Sequence, residues 1–187
     1  MRARYLFLLL TAICFTIVAT GATTAAEPPK FLTASGQEVT FNVVDPGTVT
    51  CIGGVATGDP FNPCVGSRRV LLKHQVVQTM LFSPPAPVGP AVPLLAGVNT
   101  ISIDCSLDGN LKGSCWGTFE WKVDAEATWD GVVSGSFDFS DLSLDYQMVG
   151  RGFGGAIDGM QLHYDVIYPG GFSFVGEFAA RVHVPKS

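Results

Sequence analysis

The sequence predicts an all-β protein, an up-and-down antiparallel β-barrel, with a two-sheet β-sandwich as the alternative arrangement. Three observations carry that prediction. From Glu38 onward apolar residues recur at every second position rather than at the spacing of about 3.6 that marks a helix. Glycines and prolines, 22 and 12 in a chain of 187 residues, cluster between the alternating segments. Only 14% of residues are charged, too few for the salt-bridged surfaces of long helices.

Arg2 and Arg4 stand before an apolar run from Tyr5 to Val18, and the small residues Ala19 to Ala26 follow. That is the plan of a secretory signal peptide over 1–26, with cleavage near Ala26 and a single domain over 27–187. At about 14 residues the run falls short of the ~20 that a spanning helix needs. Cys14 lies inside the run, with no lipoprotein-type site around it. Cleavage would leave Cys51, Cys64, Cys105 and Cys115, an even set in a chain bound for an oxidising compartment, secreted or periplasmic. Two disulfides follow, Cys51 with Cys64 and Cys105 with Cys115. Zinc ligation is not expected, because the short paired spacings it requires are missing.

Along the chain, Val39, Phe41 and Val43 alternate with Thr40 and Asn42 and read as a half-buried strand with the valines inward. Val70 to Phe82 is a second strand, in which His74 falls on the same register as Leu72 and Val76. Positions 83–93 carry five prolines, which withhold backbone donors, and read as a surface loop. Ile101 to Leu107, Cys115 to Val123, Trp129 to Phe139, Leu142 to Met148, Met160 to Tyr168 and Phe172 to Val184 complete a set of about nine strands. Asp108-Gly109-Asn110 turns the chain so that Cys105 and Cys115, both on apolar parity, lie opposite one another. In the last hairpin the apolar residues match when partner numbers have an even sum, which places His163 opposite Glu177 on the outer face, with Asp165 and Arg181 beside them. Consecutive hairpins with short turns favour a closed barrel, which leaves no exposed edge.

Gly117-Thr118-Phe119-Glu120-Trp121, Trp129-Asp130-Gly131 and the run Gly150-Arg151-Gly152-Phe153-Gly154-Gly155-Ala156-Ile157-Asp158-Gly159 resemble the glycine-spaced strands of calycin-like barrels of the allene oxide cyclase type, over residues 113 to 184. The resemblance implies a small barrel with an apolar cavity, and no catalytic residue is carried over from it.

Function is less legible. Eleven basic against sixteen acidic residues give a net charge of -5, or -7 once Arg2 and Arg4 are removed, which argues against a nucleic-acid partner. Gly150-x-Gly152-x-x-Gly155 has the letters of a dinucleotide fingerprint but not the helix its mechanism needs, so the glycines are read as bulges or close approaches. His163, Asp165, Glu177, Arg181 and His183 make a polar cluster, read as a solvated face. Trp121, Trp129, Tyr146 and Tyr164 fall on inward parity and, with His74, are the candidate ligand-lining residues; no catalytic residue, metal or cofactor is assigned. The expected function is a secreted or periplasmic binding or interaction module for a small apolar ligand. One alternative is an isomerase or cyclase on the same barrel, which requires an ionisable side chain in the interior, His74 first. The other is a small outer-membrane barrel.

Overall fold

The structure, a computed structural model, describes residues 30–58, 63–171 and 173–185. It is all-β. The strands are β1 (Lys30–Asp45), β2 (Thr48–Ile52), β3 (Val55–Ala56), β4 (Cys64–Val65), β5 (Arg69–Phe82), β6 (Val98–Asp108), β7 (Lys112–Lys122), β8 (Thr128–Asp138), β9 (Ser143–Phe153), β10 (Gln161–Pro169) and β11 (Val175–Val184). Every pairing is antiparallel, and sequence neighbours from β5 to β11 are spatial neighbours. β1 closes the ring by pairing with β11 through its first half and with β5 through its second. The eight strands are not spaced evenly round one axis, so the hydrogen bonding is closed like a barrel's while the cross-section is irregular. β2 prolongs the line of β1 along β5, and β3 and β4 form a small arm beyond it.

The alternation read from β6 to β10 holds. Ile101, Phe119, Trp121, Val133, Met148 and Leu162 are buried on the inner face, while the intervening residues point outward. The inner face closes up where strands omit side chains: a Cβ at Gly150 would lie 2.6 Å from Phe119 Cζ, so the Phe119 ring packs directly on that backbone. This is the role of the first glycine in the fingerprint-like run, whose third glycine, Gly155, opens a 3-10 turn over Gly155–Ile157 rather than an α-helix.

Four expectations change. On β1 the inward residues are Ala34, Glu38 and Thr40, while Val43 and Val44 are exposed. Register shifts between Thr40 and Asn42 and between Val43 and Asp45 break the alternation there. On β5 a bulge between Leu72 and Gln75 sets two residues against Asp104 alone, and inward parity switches from Val70 and Leu72 to Val77 and Thr79. His74 is the residue thrown outward: its φ is 58°, its side chain is 84% exposed, and its N–H donates to Asp104 Oδ1 at 2.8 Å. In the last hairpin the even-sum parity holds but the register is four residues away, so that His163 faces Arg181 and Ile167 faces Glu177. The turn after Pro169 is longer than the three residues expected, and Phe172 lies outside the described residues.

The proline-rich segment is the fourth. Much of it is exposed, but Val88 bridges to Ser35, and Ala91 and Leu95 are fully buried around a 3-10 turn at Val92–Leu95. It caps one end of the ring, where Trp129 Nε1 donates to Leu94 O at 2.7 Å. Trp129→Phe keeps the ring's apolar body and deletes that bond, so denaturant unfolding should show a loss of about 1–2 kcal/mol; an unchanged midpoint would mean the cap is held by packing alone.

The other end carries the disulfides. Cys51–Cys64 ties β2 to β4, and Cys105–Cys115 joins directly opposed residues of β6 and β7. Both pairings are those expected, and they suit an oxidising compartment, extracellular or periplasmic. The N-terminal segment 1–26, with its signal-peptide reading, lies outside the described residues. No helix among the described residues is long and apolar enough to cross a membrane.

Candidate functional site

Among the described residues, one carboxyl group stands inside the ring. Glu38 comes from the middle of β1 and is 0% exposed. Across the interior, β9 supplies Tyr146 and β10 supplies Tyr164 and Tyr168, spaced so that all three side chains reach the same face. The Tyr146 hydroxyl donates to Glu38 Oε1 in a short contact, Tyr168 donates to Oε1 at 2.8 Å, and Tyr164 donates to Oε2 at 2.9 Å. Thr79 of β5 adds a fourth hydroxyl. Behind it, Asn99 Nδ2 donates to Thr79 Oγ1 at 3.2 Å. The Tyr168 hydroxyl also meets Thr40 Oγ1 at 3.1 Å.

The electrostatics follow from burial. Leaving water penalises a carboxylate more than a carboxylic acid, and this raises the Glu38 pKa despite four hydroxyl bonds that pull it down. The phenols are pushed the other way from reactivity. Burial first, then the facing carboxylate, holds Tyr146, Tyr164 and Tyr168 well above the ordinary phenol value, so they act as neutral donors and acceptors. No basic side chain among the described residues bonds to or ion-pairs with Glu38. The centre is therefore a buried acid in a cage of hydroxyls.

A cavity of about 40 Å³ adjoins this centre. Thr40, Thr79 and Tyr146 give it one polar side, and Val77, Ile101, Ile103, Val133 and Leu144 give it apolar walls. One water needs roughly 10–15 Å³ by this measure, so the space admits about three water-sized groups. An open groove of about 410 Å³ lies outside it, and Leu144 lines both spaces.

The sequence candidates divide. Tyr146 and Tyr164 touch Glu38; Trp121 packs edge-on against Tyr164 with ring centroids 5.1 Å apart. Trp129 is buried at the capped end, away from the acid, bonded to the proline-rich segment. His74 is outside the ring and cannot be the interior ionisable group. The polar residues of the last hairpin remain on the outer face, where His163 Nε2 lies 3.2 Å from Asp165 Oδ2. Sequence reasoning missed Glu38, Tyr168, Thr40 and Thr79. The available signal was a lone acidic residue flanked by Gly36 and Thr40 on one parity, facing a tyrosine spaced at every fourth position, Tyr164 and Tyr168, on a distant strand.

No cluster of three or more His, Cys, Asp or Glu side chains among the described residues is placed to hold a metal ion. Two buried polar atoms near the acid's network, Asn99 Oδ1 and Trp121 Nε1, have no partner among the described residues. No family model, no curated protein and no solved structure matches the chain.

Proposed function

We propose that the protein is a secreted or periplasmic barrel module that takes a small, mainly apolar ligand into its interior and holds it by one oxygen beside the Glu38 centre. The observation that carries this reading is a fully buried acid facing three tyrosines next to an otherwise apolar cavity. Small-molecule sites have that composition, apolar walls with a few convergent polar groups, and a carboxyl perturbed by burial in such a place is a candidate functional centre. The leader-like N-terminus and the two disulfides support export. Ligands larger than the cavity enter by displacing Leu144, which joins it to the outer groove.

A second reading, an isomerase or cyclase, is favoured by the burial that raises the Glu38 pKa and so favours its protonated form. A neutral carboxyl beside neutral phenols can lend a proton to an oxygen that gains charge during a rearrangement. The outer-membrane alternative is disfavoured by the outward charges: Glu120, Asp130, Asp145, Arg151, Glu177 and Arg181 would all meet lipid.

Titrating the purified protein with a fluorescent apolar probe, alongside native mass spectrometry, tests the ligand reading. Saturable binding that Leu144→Trp abolishes and Leu144→Ala strengthens by about tenfold, roughly 1.4 kcal/mol, is expected. Binding that ignores both substitutions would place the probe elsewhere, and no binding in any variant would remove the ligand reading.

A further inference from the structure

The hydroxyls around Glu38 can be counted. Tyr146, Tyr164, Tyr168 and Thr79 bring four O–H donors, and an ionised carboxylate offers about four acceptor positions. The ionised centre is thus complete, with each hydroxyl turned inward. A protonated Glu38 upsets the count, because the acid must donate its own proton to a hydroxyl, and that hydroxyl must send its proton somewhere else. Among the described residues one exit is visible: Tyr168 faces Thr40 Oγ1 at 3.1 Å, in a contact where either oxygen can donate. The Tyr146 hydroxyl also lies within reach of Tyr168. Whether Tyr146 or Tyr168 accepts the acid proton, the displaced hydrogen emerges at Thr40.

Thr40 lines the cavity. With Glu38 protonated, Thr40 receives a bond from Tyr168 and its own O–H is free to point into the cavity. With Glu38 ionised, Tyr168 turns back to the carboxylate, Thr40 donates to Tyr168, and only lone pairs face the cavity. We infer that Tyr168 and Thr40 form a hydroxyl relay that reports the proton state of Glu38 to the cavity, so that the protonated protein selects a ligand with an acceptor-only oxygen, a ketone or aldehyde carbonyl, bound at Thr40. This rests on the interior-ligand reading for its ligand and on the hydrogen-bond network alone for the relay.

The other groups facing Glu38 take no displaced hydrogen in this arrangement. β5 presents Thr79, which meets the donor side of the Asn99 amide, Nδ2 to Oγ1 at 3.2 Å, and gains an acceptor only if that amide turns its Oδ1 toward it, and β10 presents Tyr164, which has Glu38 as its hydroxyl partner. β11 presents the apolar Phe178, stacked on Tyr164 at 5.0 Å. Thr40 and Tyr168 are positioning residues in this scheme, acting through the acid and on the ligand's orientation.

Infrared spectroscopy separates the relay from the ligand. The carboxylic-acid C=O band of Glu38 is assigned by its loss in Glu38→Gln, and its frequency and pH midpoint are then followed in the full-length protein. Thr40→Val removes the exit, so the protonated form loses its fully satisfied arrangement, and the midpoint should fall by about one unit, a tenfold change, with a shifted band. Thr40→Ser should restore the wild-type band. Tyr146→Phe removes a donor that favours the carboxylate and should raise the midpoint. An acid band with the same frequency and midpoint in Thr40→Val as in the wild type overturns the relay.

The ligand part is read with 2-butanone and its hydrocarbon counterpart 2-methyl-1-butene. At a pH where Glu38 is protonated, the ketone should bind with its C=O stretch lowered, and Thr40→Val should weaken it about tenfold while leaving the alkene unchanged. Equal affinity for the two probes, or equal loss of both in Thr40→Val, overturns the carbonyl selection. Failure of both probes to bind while the band shifts remain would overturn the interior-ligand reading and leave the relay standing.

Discussion

Glu38→Ala is expected to lower the free energy of unfolding by about 3–5 kcal/mol at mildly acidic pH. It leaves a void in the middle of the ring and removes the carboxyl acceptor from hydroxyls on three strands, and each buried group left unsatisfied costs about 1–3 kcal/mol before relaxation. Glu38→Gln fills the void but offers donors to a cage that already has four, so about 1–2 kcal/mol should be lost. The pH dependence carries the sharper content. The folded-state pKa of Glu38 is raised above its ordinary 4.5, so its contribution is fully present below that value and is lost as pH rises toward the folded pKa. Both substitutions should therefore cost most at acid pH and progressively less as pH increases. Denaturant unfolding from about pH 4 to pH 9 would show the wild-type and Gln curves converging. A penalty that is the same at every pH would mean that the folded and unfolded carboxyls share one pKa, and the account of a buried neutral acid would fail.

That acid was hidden from sequence reasoning for a physical reason. Alternation identified β6 to β10 because each is regular over most of its length, and the Asp108-Gly109-Asn110 turn fixed the register that opposes Cys105 to Cys115. Tyr146, Tyr164, Trp121 and Trp129 were assignable to the interior by parity alone. Parity fails at a bulge, where one extra residue exchanges the faces, and both strands that close the ring have them. The exchange put His74 on the inside in the sequence reading and kept Glu38 and Thr40 out. Hydropathy reinforced the error, since Val39 and Val43 outscore Glu38 and Thr40, and the interior of β1 is set by what faces it. Tyrosines from β9 and β10 and Phe178 from β11 fill the space, so only small or hydrogen-bonding groups fit opposite. The three tyrosines lie 108 to 130 residues away along the chain, and no local pattern reports them. The proline-rich segment shows the same limit in another form. Its composition marks a loop correctly, but whether a loop lies on the surface or seals an end depends on Ala91 and Leu95 finding a void in the ring beneath.

The two disulfides should fail in different places. Their loops are short and similar, with sequence separations of 10 for Cys105–Cys115 and 13 for Cys51–Cys64, and chain entropy assigns each about 3 kcal/mol. What differs is the structure that each one ties. Cys105 and Cys115 are buried between β6 and β7, packed with Val70, Leu72 and Leu107, and Cys115 forms part of the cavity wall. Replacing both with alanine removes sulfur atoms from a packed cluster as well as the link, so global unfolding should become easier by about 3–5 kcal/mol. Cys51–Cys64 instead holds an arm in which, among the described residues, β2 pairs with β5 alone and β3 pairs only with β4, and where Val49, Ile52 and Val55 are exposed. Losing that link frees the arm before it weakens the ring. Hydrogen exchange in the Cys51→Ala/Cys64→Ala variant should accelerate across residues 48–58 and leave β7 to β10 protected, with a global midpoint little changed. In the Cys105→Ala/Cys115→Ala variant, exchange should accelerate in every strand of the ring together. Uniform acceleration in both variants would show that the arm and the ring unfold as one cooperative unit.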